Sequence, residues 1–544
     1  MSFSSMRRAC TCSFVVMISV LVCAAQRPTM TTHLPQSVSS GVAPMVGYLP
    51  ANQRISLAVS LPLRNQDELE RLLEDIYDRH SPNFHHYLTV KEFTERFGPS
   101  ESDYAALQAY AETNGLRVVD KMSNRMVLDI EGPVANIEAA LHVNMKIYQQ
   151  PGQARTFFSA DREPSLDLNV PILHISGLDD EVLPVSKNFM ASPSVVSRKA
   201  TGSGPGGSFY GSDLRAAYYG SGTLNGAGQN LAIFSFKGYN SNDINTYFKN
   251  EGQTNTVPIK VISVNGASTT CGSGCSDVEQ ALDIEQALSM APGLNQLLFY
   301  VGKSNVSIFN QMAADNSASS ISCSYGWSKN QSSLDPIFEE MASQGQSVFV
   351  ATGDDGSATA GNVTWPSDDA WVTAVGGTVL TTKSAGGAWS SETGWSQSAG
   401  MPSKNNIPIP SYQQLAGVIT GSNQGSNTLR NIPDVSSESA SEQYLCANGT
   451  CRNQGGGTSY AAPLWAGIAA MMNQQAASNG QPNVGFLNTA LYDIGVGTGF
   501  TTDFHDIKSG SNGAYSAVAY YDLVTGWGSP IGANLISGVV PERR

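Results

Sequence analysis

Residues Gly455-Gly-Gly-Thr-Ser-Tyr-Ala-Ala-Pro463 place Ser459 inside a Gly-Thr-Ser-x-x-x-Pro segment. Glycines ahead of a serine let the backbone turn tightly and leave the hydroxyl uncovered. The following run, Tyr460 to Met472, is rich in Ala, Leu, Trp, Ile and Met, which predicts a buried helix starting at that serine. A serine on such an elbow, at the positive end of a helix, is a common way to present a nucleophile. After residue 200 the chain contains one histidine, His505. A serine hydrolase built on this segment therefore needs a carboxylate as its base.

Two acidic stretches supply candidates. Asp277-Val-Glu-Gln-Ala-Leu-Asp-Ile-Glu-Gln-Ala-Leu288 reads as a helix on which Glu279 and Asp283 stand one turn apart. Such a pair on a solvated face is ordinary, but here Val278, Ala281, Leu282, Ile284, Ala287 and Leu288 cover most of the circumference. Val348-Phe-Val-Ala-Thr-Gly-Asp-Asp-Gly356 reads as a buried strand ending in Gly353-Asp354-Asp355-Gly356, the strand-end position where α/β folds keep their sites. An ordinary strand-to-helix turn is the alternative there.

Working outward, short apolar runs at Leu231, Ile259, Gln296, Ser347 and Val372 alternate with helical segments from residue 209 on. That is the pattern of a doubly wound, mostly parallel α/β sheet. Residues 26–180 read as a separate α+β domain. It has an amphipathic helix from Glu68 to Arg79, a second from Ser100 to Gly115 with Ser100 as cap, and a strand at Arg125–Ile130. Residues 26–45 are Thr/Ser/Pro/Gln-rich and expected to be disordered. The Ser/Pro/Gly/Lys-rich stretch 181–208 is expected to be an exposed linker holding a processing site, with a mature N-terminus within about 190–210.

The first 25 residues look like an export signal, with Arg7 and Arg8 ahead of an apolar stretch from Ser13 to Val22 and Cys23-Ala24-Ala25 at the cleavage site. Export implies a secreted protein with no membrane attachment after cleavage. Of the eight cysteines, three fall in that signal. Cys446 and Cys451 flank Asn448-Gly449, a favoured hairpin turn, and are expected to pair. Cys271 and Cys275 are expected to bridge a Gly-rich loop, and Cys323 to be a buried thiol. A net charge of −14 and a pI near 5.0 speak against a nucleic-acid partner. From residue 201 on there are 24 acidic against 13 basic residues, a balance suited to an enzyme working in acid.

Taken together, these motifs resemble the sedolisin (kumamolisin) family of serine-carboxyl peptidases, over nearly the whole chain after the signal. His80-Ser-Pro-Asn-Phe-His-His-Tyr-Leu-Thr-Val-Lys-Glu-Phe93 through Phe97-Gly-Pro99 is similar to that family's activation prodomain. Leu282-Asp-Ile-Glu285, Ser322-Cys-Ser-Tyr-Gly326, Gly353-Asp354, Val372–Thr378, Pro433-Asp-Val435 and Gly456-Gly-Thr-Ser459 follow in the family's order. The resemblance implies a subtilisin-like fold over 209–544, with Ser459 as nucleophile, Glu279 as base, Asp283 as its partner and Asp354 in the oxyanion hole. Carboxyls this close cannot all ionise, and a protonated Asp354 can donate to the oxyanion.

Phe504-His-Asp506-Ile507 and Tyr521-Asp522 through Gly528 resemble the family's calcium loop, implying one structural Ca²⁺ per monomer. Its ligands would be Asp506, Asp522 and the carbonyls of Ile507, Val518 and Tyr520. The family usually has glycine where Val518 and Tyr520 stand; His505 is expected to be structural. The function implied is a secreted acid endopeptidase, monomeric, acting on protein or peptide substrates and inhibited by its own prodomain. A tripeptidyl aminopeptidase with the same motifs and a non-catalytic binding protein on the same scaffold are the alternatives.

Overall fold

The computed structural model describes residues 32–190, 201–272, 274–327, 333–357, 365–440 and 443–541. The expected export signal lies outside them. At the centre is an eight-stranded sheet. Its strands run in the order Ile259–Ser263, Gln296–Val301, Asn230–Ser235, Ser320–Cys323, Ser347–Ala351 and Thr373–Thr382, all parallel. Val435–Glu438 adds a parallel pairing to Thr373–Thr382, and Trp389–Gly394 an antiparallel one. Strands buried on both faces are continuous apolar runs, as in Val348, Phe349 and Val350, none more than 2% exposed.

Two helices position the chemistry. Val278–Met290 follows the edge strand Ile259–Ser263, and Thr458–Ser478 packs against the sheet and against Val278–Met290. The second is apolar all round and buried from Thr458 through Met472, as a helix inside a core must be. Both predicted disulfides are present, Cys271–Cys275 and Cys446–Cys451, and Cys323 is free and buried. The Asn448-Gly449 turn has both residues at positive φ, as a two-residue hairpin turn requires. Among the described residues no helix is long and apolar enough to cross a membrane.

The N-terminal domain builds a four-stranded antiparallel sheet on Arg54–Ser60, Arg117–Lys121, Val127–Pro133 and His174–Ser176, with helices Gln66–Tyr77, Val90–Arg96, Glu101–Thr113 and Val134–Leu141. Ser100 caps the third of these by accepting from the Asp103 backbone at 3.0 Å. Leu57, Leu107, Leu128 and Ile137 form a core of its own. Leu69, Leu73, Ile76, Phe93 and Phe97 instead join the core of the larger domain. The seam is fastened by the Tyr77 hydroxyl, which donates to the Ala342 carbonyl at 2.7 Å and accepts from the Phe486 amide at 2.8 Å. Asn124 donates to the buried Glu340 at 2.7 Å.

Two expectations need correction. The stretch expected to be disordered over 26–45 is ordered from residue 32. His33 is buried, stacks on His174 at 4.2 Å and donates its amide to Glu163 at 3.0 Å, and Gln36–Ser39 is helical. Within the stretch 181–208, residues 191–200 of the expected processing window lie outside the described residues; Val182, Leu183 and Val185 are exposed, but Lys187 is buried and the backbone is paired rather than loose. Val185–Ser186 pairs with Tyr325–Gly326, and Phe189–Met190 pairs with Gly455–Gly456, both antiparallel. Composition misled because these contacts are made by backbone amides and carbonyls, which leave no mark on residue type.

Candidate active site

Ser459, Glu279, Asp283 and Asp354 come together at the carboxyl ends of the parallel strands. Ser459 lies in the first turn of Thr458–Ser478 and is fully buried. Its hydroxyl is 3.5 Å from the Ser324 carbonyl, a long contact that leaves it free to turn toward a base. Pro463 has no N–H to offer the Ser459 carbonyl, and the Ser324 hydroxyl lies 3.4 Å from that oxygen instead. Ser324 also donates to Asp283 Oδ1 at 2.6 Å. In the sequence Ser324 stands out only as part of the Ser322–Gly326 motif; its contacts with Asp283 and Ser459 emerge from the fold.

Glu279 and Asp283 face inward from Val278–Met290, 3% and 1% exposed. Burial pushes both carboxyls up, and the Glu279 charge raises Asp283 further. Ser459 and Asn188 act the other way on Glu279. Each carboxyl keeps one oxygen, Glu279 Oε1 and Asp283 Oδ2, without a hydrogen-bond partner.

Asp354 follows the strand Ser347–Ala351. Its Oδ1 accepts from the Thr458 amide at 2.8 Å and the Thr458 hydroxyl at 2.9 Å. That hydroxyl in turn accepts from the Gly353 amide at 3.0 Å, so its proton is committed to Asp354. Oδ2 is buried and makes no hydrogen bond. Burial pushes Asp354 up to about 7, against the lowering effect of the Thr458 hydrogen bonds. The residue as a whole is only half-buried, but the enclosed oxygen is the one that matters for a proton.

A length of the chain itself lies across these residues. The Lys187 amide donates to the Ser324 carbonyl at 2.9 Å, and the Lys187 carbonyl accepts from the Ser459 amide at 3.0 Å. Asn188 Nδ2 donates to Glu279 Oε2 at 2.6 Å. Gly457 makes the approach possible. It has φ +125°, and a Cβ there would lie 2.4 Å from the Lys187 oxygen, 2.7 Å from Asn188 Cα and 2.7 Å from Asp354 Oδ2. The Lys187 carbonyl oxygen and Asp354 Oδ2 thus crowd one small space above the Ser459 amide. A peptide is held there by antiparallel pairing on both sides of the Lys187–Asn188 bond, the way an extended substrate adds to a sheet edge.

The residues of the expected calcium loop also converge. Tyr520 N–H donates to Asp506 Oδ1 at 3.0 Å and Val518 N–H to Asp522 Oδ2 at 3.0 Å. Asp522 is fully buried, and its Oδ1 accepts from the Val524 and Thr525 amides at 2.8 Å. Lys508 lies 3.1 Å from Asp506 Oδ2. Among the described residues no three His, Cys, Asp or Glu side chains form a metal-holding group. An ion here would rest on two carboxylates and backbone carbonyls, an all-oxygen set that fits Ca²⁺. Tyr520 has φ +67° and is 59% exposed, the backbone glycine supplies more easily. His505 stacks on Trp389 at 3.9 Å, and burial pushes it down to about 4.

Fold and site together define a serine-carboxyl peptidase carried with its activation domain. Residues 43–180 match the family model described as Pro-kumamolisin, activation domain. The chain is 28% identical to sedolisin of a Pseudomonas species, over 91% of this chain and 89% of that one. It is also 28% identical to kumamolisin of a Bacillus species, over 93% and 94%. The solved structure of Pseudomonas sedolisin, a serine-carboxyl proteinase, superposes with a TM-score of 0.52 at 27% identity, covering 62% of this chain and 98% of that one. A tripeptidyl-peptidase of Aspergillus fumigatus matches at 25% identity over 81% and 86%. The chain thus carries the activation domain of the pro-kumamolisin family model and is similar to sedolisin and kumamolisin along nearly its whole length.

Proposed function

We propose that this chain is the precursor of a secreted, acid-acting endopeptidase that cuts itself at Lys187–Asn188, with Ser459, Glu279, Asp283 and Asp354 as its catalytic groups. The observation that carries the reading is the seating of that peptide: its carbonyl on the Ser459 amide and its following side chain on Glu279. Ser459 Oγ attacks the Lys187 carbonyl carbon and gives its proton to Glu279. The oxyanion takes hydrogen bonds from the Ser459 amide and from protonated Asp354 Oδ2. The intermediate then collapses, the C–N bond breaks, and Asn188 leaves as an amine carrying the proton from Glu279. Water then attacks the acyl carbon as Glu279 takes its proton, the bond to Ser459 Oγ breaks, and Ser459 leaves with the proton from Glu279, freeing the Lys187 carboxyl group. Asp283 shares a proton with Glu279, so that one of the two carries the negative charge.

An endopeptidase is favoured over a tripeptidyl aminopeptidase because the chain runs continuously through the cleft, from Val185 on one side of the bond to Met190 on the other. Val185 is the third residue before the cut, and the chain continues past it through Pro184, so nothing closes the cleft at that position. Asp506, Asp522 and the loop carbonyls would hold one Ca²⁺, which crosslinks the C-terminal loop by charge and takes no part in the bond cleavage. The reading is tested by incubating purified precursor in mild acid and weighing the products. The wild type should yield a fragment beginning at Asn188, and Ser459→Ala should stay intact. A Ser459→Ala precursor that shortens at the wild-type rate would refute it.

A further inference from the structure

Lys187 is only 5% exposed, an unusual state for a lysine. Its side chain runs over Gly353. A Cβ built on that glycine would lie 3.2 Å from Lys187 Nζ, 3.7 Å from its Cδ and 3.4 Å from the Ala399 Cβ. Gly353 also has φ +122°, so the missing side chain and the backbone conformation together open a slot. The stem lies on Gly353 with Ala399 as its wall, and the two residues that follow Gly353, Asp354 and Asp355, are both acidic and act by charge on the ammonium.

We propose that this slot is the primary specificity pocket, that it selects a basic side chain so that the mature peptidase cuts after lysine, and that Asp355 is the specificity-determining carboxylate. The proposal rests on Lys187–Asn188 being the bond presented to Ser459. An aliphatic residue would fill the slot with its stem and leave the acidic end unpaired; a carboxylate side chain would meet like charge there. Asp354 is committed to the oxyanion through its proton, whereas Asp355 has no part in the bond-breaking step and lies on the exposed side of the pocket. Burial pulls the Lys187 ammonium down, and Asp354, Asp355, Cys323 and Glu279, in that order, act to keep it charged. With Asp354 protonated for the oxyanion, Asp355 is the neighbouring carboxylate left to compensate the charge, as a buried cation requires.

The test uses self-processed enzyme and peptides identical except for Lys, Arg, Met, Leu or Glu before one bond, with the cut position read by mass. Lys should exceed Met in kcat/KM by on the order of tenfold or more, the scale of hydrogen bonds to a charged group, and Glu should be the poorest. Asp355→Asn should narrow the Lys-over-Met ratio several-fold, the scale of a partly exposed ion pair. In the precursor, Lys187→Glu should slow self-cleavage at least tenfold relative to Lys187→Arg. Met or Leu cut as well as Lys would overturn the pocket assignment, and a Lys-over-Met ratio untouched by Asp355→Asn would overturn the role of Asp355. Failure of the underlying reading looks different: a precursor that does not cut itself and an enzyme that hydrolyses none of the peptides.

Discussion

Replacing Asp354 by asparagine and by alanine separates a proton's role from a side chain's. Thr458 pins Asp354 Oδ1 with two donors, its amide at 2.8 Å and its hydroxyl at 2.9 Å. In Asp354→Asn the carbonyl oxygen must take that place, which turns Nδ2 toward the Lys187 carbonyl. The variant therefore carries a permanent donor where the wild type depends on a proton. Asp354→Ala has no donor and should lower the self-cleavage rate by about a hundredfold to a thousandfold, or roughly 3–4 kcal/mol, as for loss of one oxyanion donor. Asp354→Asn should lose less.

The pH profile is the sharper readout. Burial holds Asp354 at about 7, raised above its ordinary value, so the donor is present below that pH and lost above it. By about pH 8 roughly a tenth of the molecules keep the proton, and the wild-type rate should fall about tenfold for each further unit. Asp354→Asn should lose this alkaline fall. The assay is the first-order disappearance of intact precursor between about pH 4 and 9. An asparagine variant with the wild-type alkaline limb, or one no better than alanine, would refute the assignment of the proton to Asp354.

Chelation should lower the Tm of the Ser459→Ala precursor by several degrees, since ligand bound a hundredfold above Kd adds about 2.7 kcal/mol. Asp522→Ala should remove that response, and a chelator-indifferent wild type would argue against a bound ion. Glu340 is fully buried against Asn124, and burial pushes it up from 4.5 to about 8. A raised carboxyl leaves stability intact below about pH 4.5 and erodes it as pH climbs toward 8, at up to about 1.4 kcal/mol per unit. Glu340→Gln in the same precursor should flatten that decline, because Gln344, whose Oε1 has no partner, can flip to accept from the new amide. Equal pH slopes of Tm in the two proteins would contradict this. Gly457→Ala should abolish self-cleavage, because the methyl group meets the Lys187 oxygen at 2.4 Å in a backbone conformation alanine avoids; a processed Gly457→Ala protein would disprove the seating.

The sequence was most legible where side-chain chemistry and spacing coincide. Glu279 and Asp283 stand one turn apart on a helix whose apolar residues cover most of its circumference, and both are buried. The apolar run after Ser459 is a buried helix, from Thr458 to Ser478. The hairpin turn at Asn448-Gly449 announced the cystine beside it. What could not be read is carried by the backbone or by distant partners. The seating of 185–190 uses main-chain hydrogen bonds, to which a Ser/Pro/Gly-rich composition is silent. Thr458 fixes Asp354 across more than a hundred residues, and no spacing rule links them. The order of residues 32–45 depends on His33 meeting Glu163 and His174, again a tertiary event. The loop expected to hold calcium stands between: Asp506 and Asp522 could be picked out by type, while the left-handed Tyr520 showed only in the fold.

The central claim is that a carboxylate, not a histidine, takes the proton from Ser459. It is tested most directly by the self-cleavage rate of Glu279→Gln and His505→Ala precursors, measured against pH beside the wild type. Glu279→Gln should fall by on the order of a hundredfold or more at every pH, the scale of losing a general base. His505→Ala should keep the acid-favouring profile of the wild type. A Glu279→Gln precursor that processes normally, or a His505→Ala precursor that does not process at all, would contradict the account.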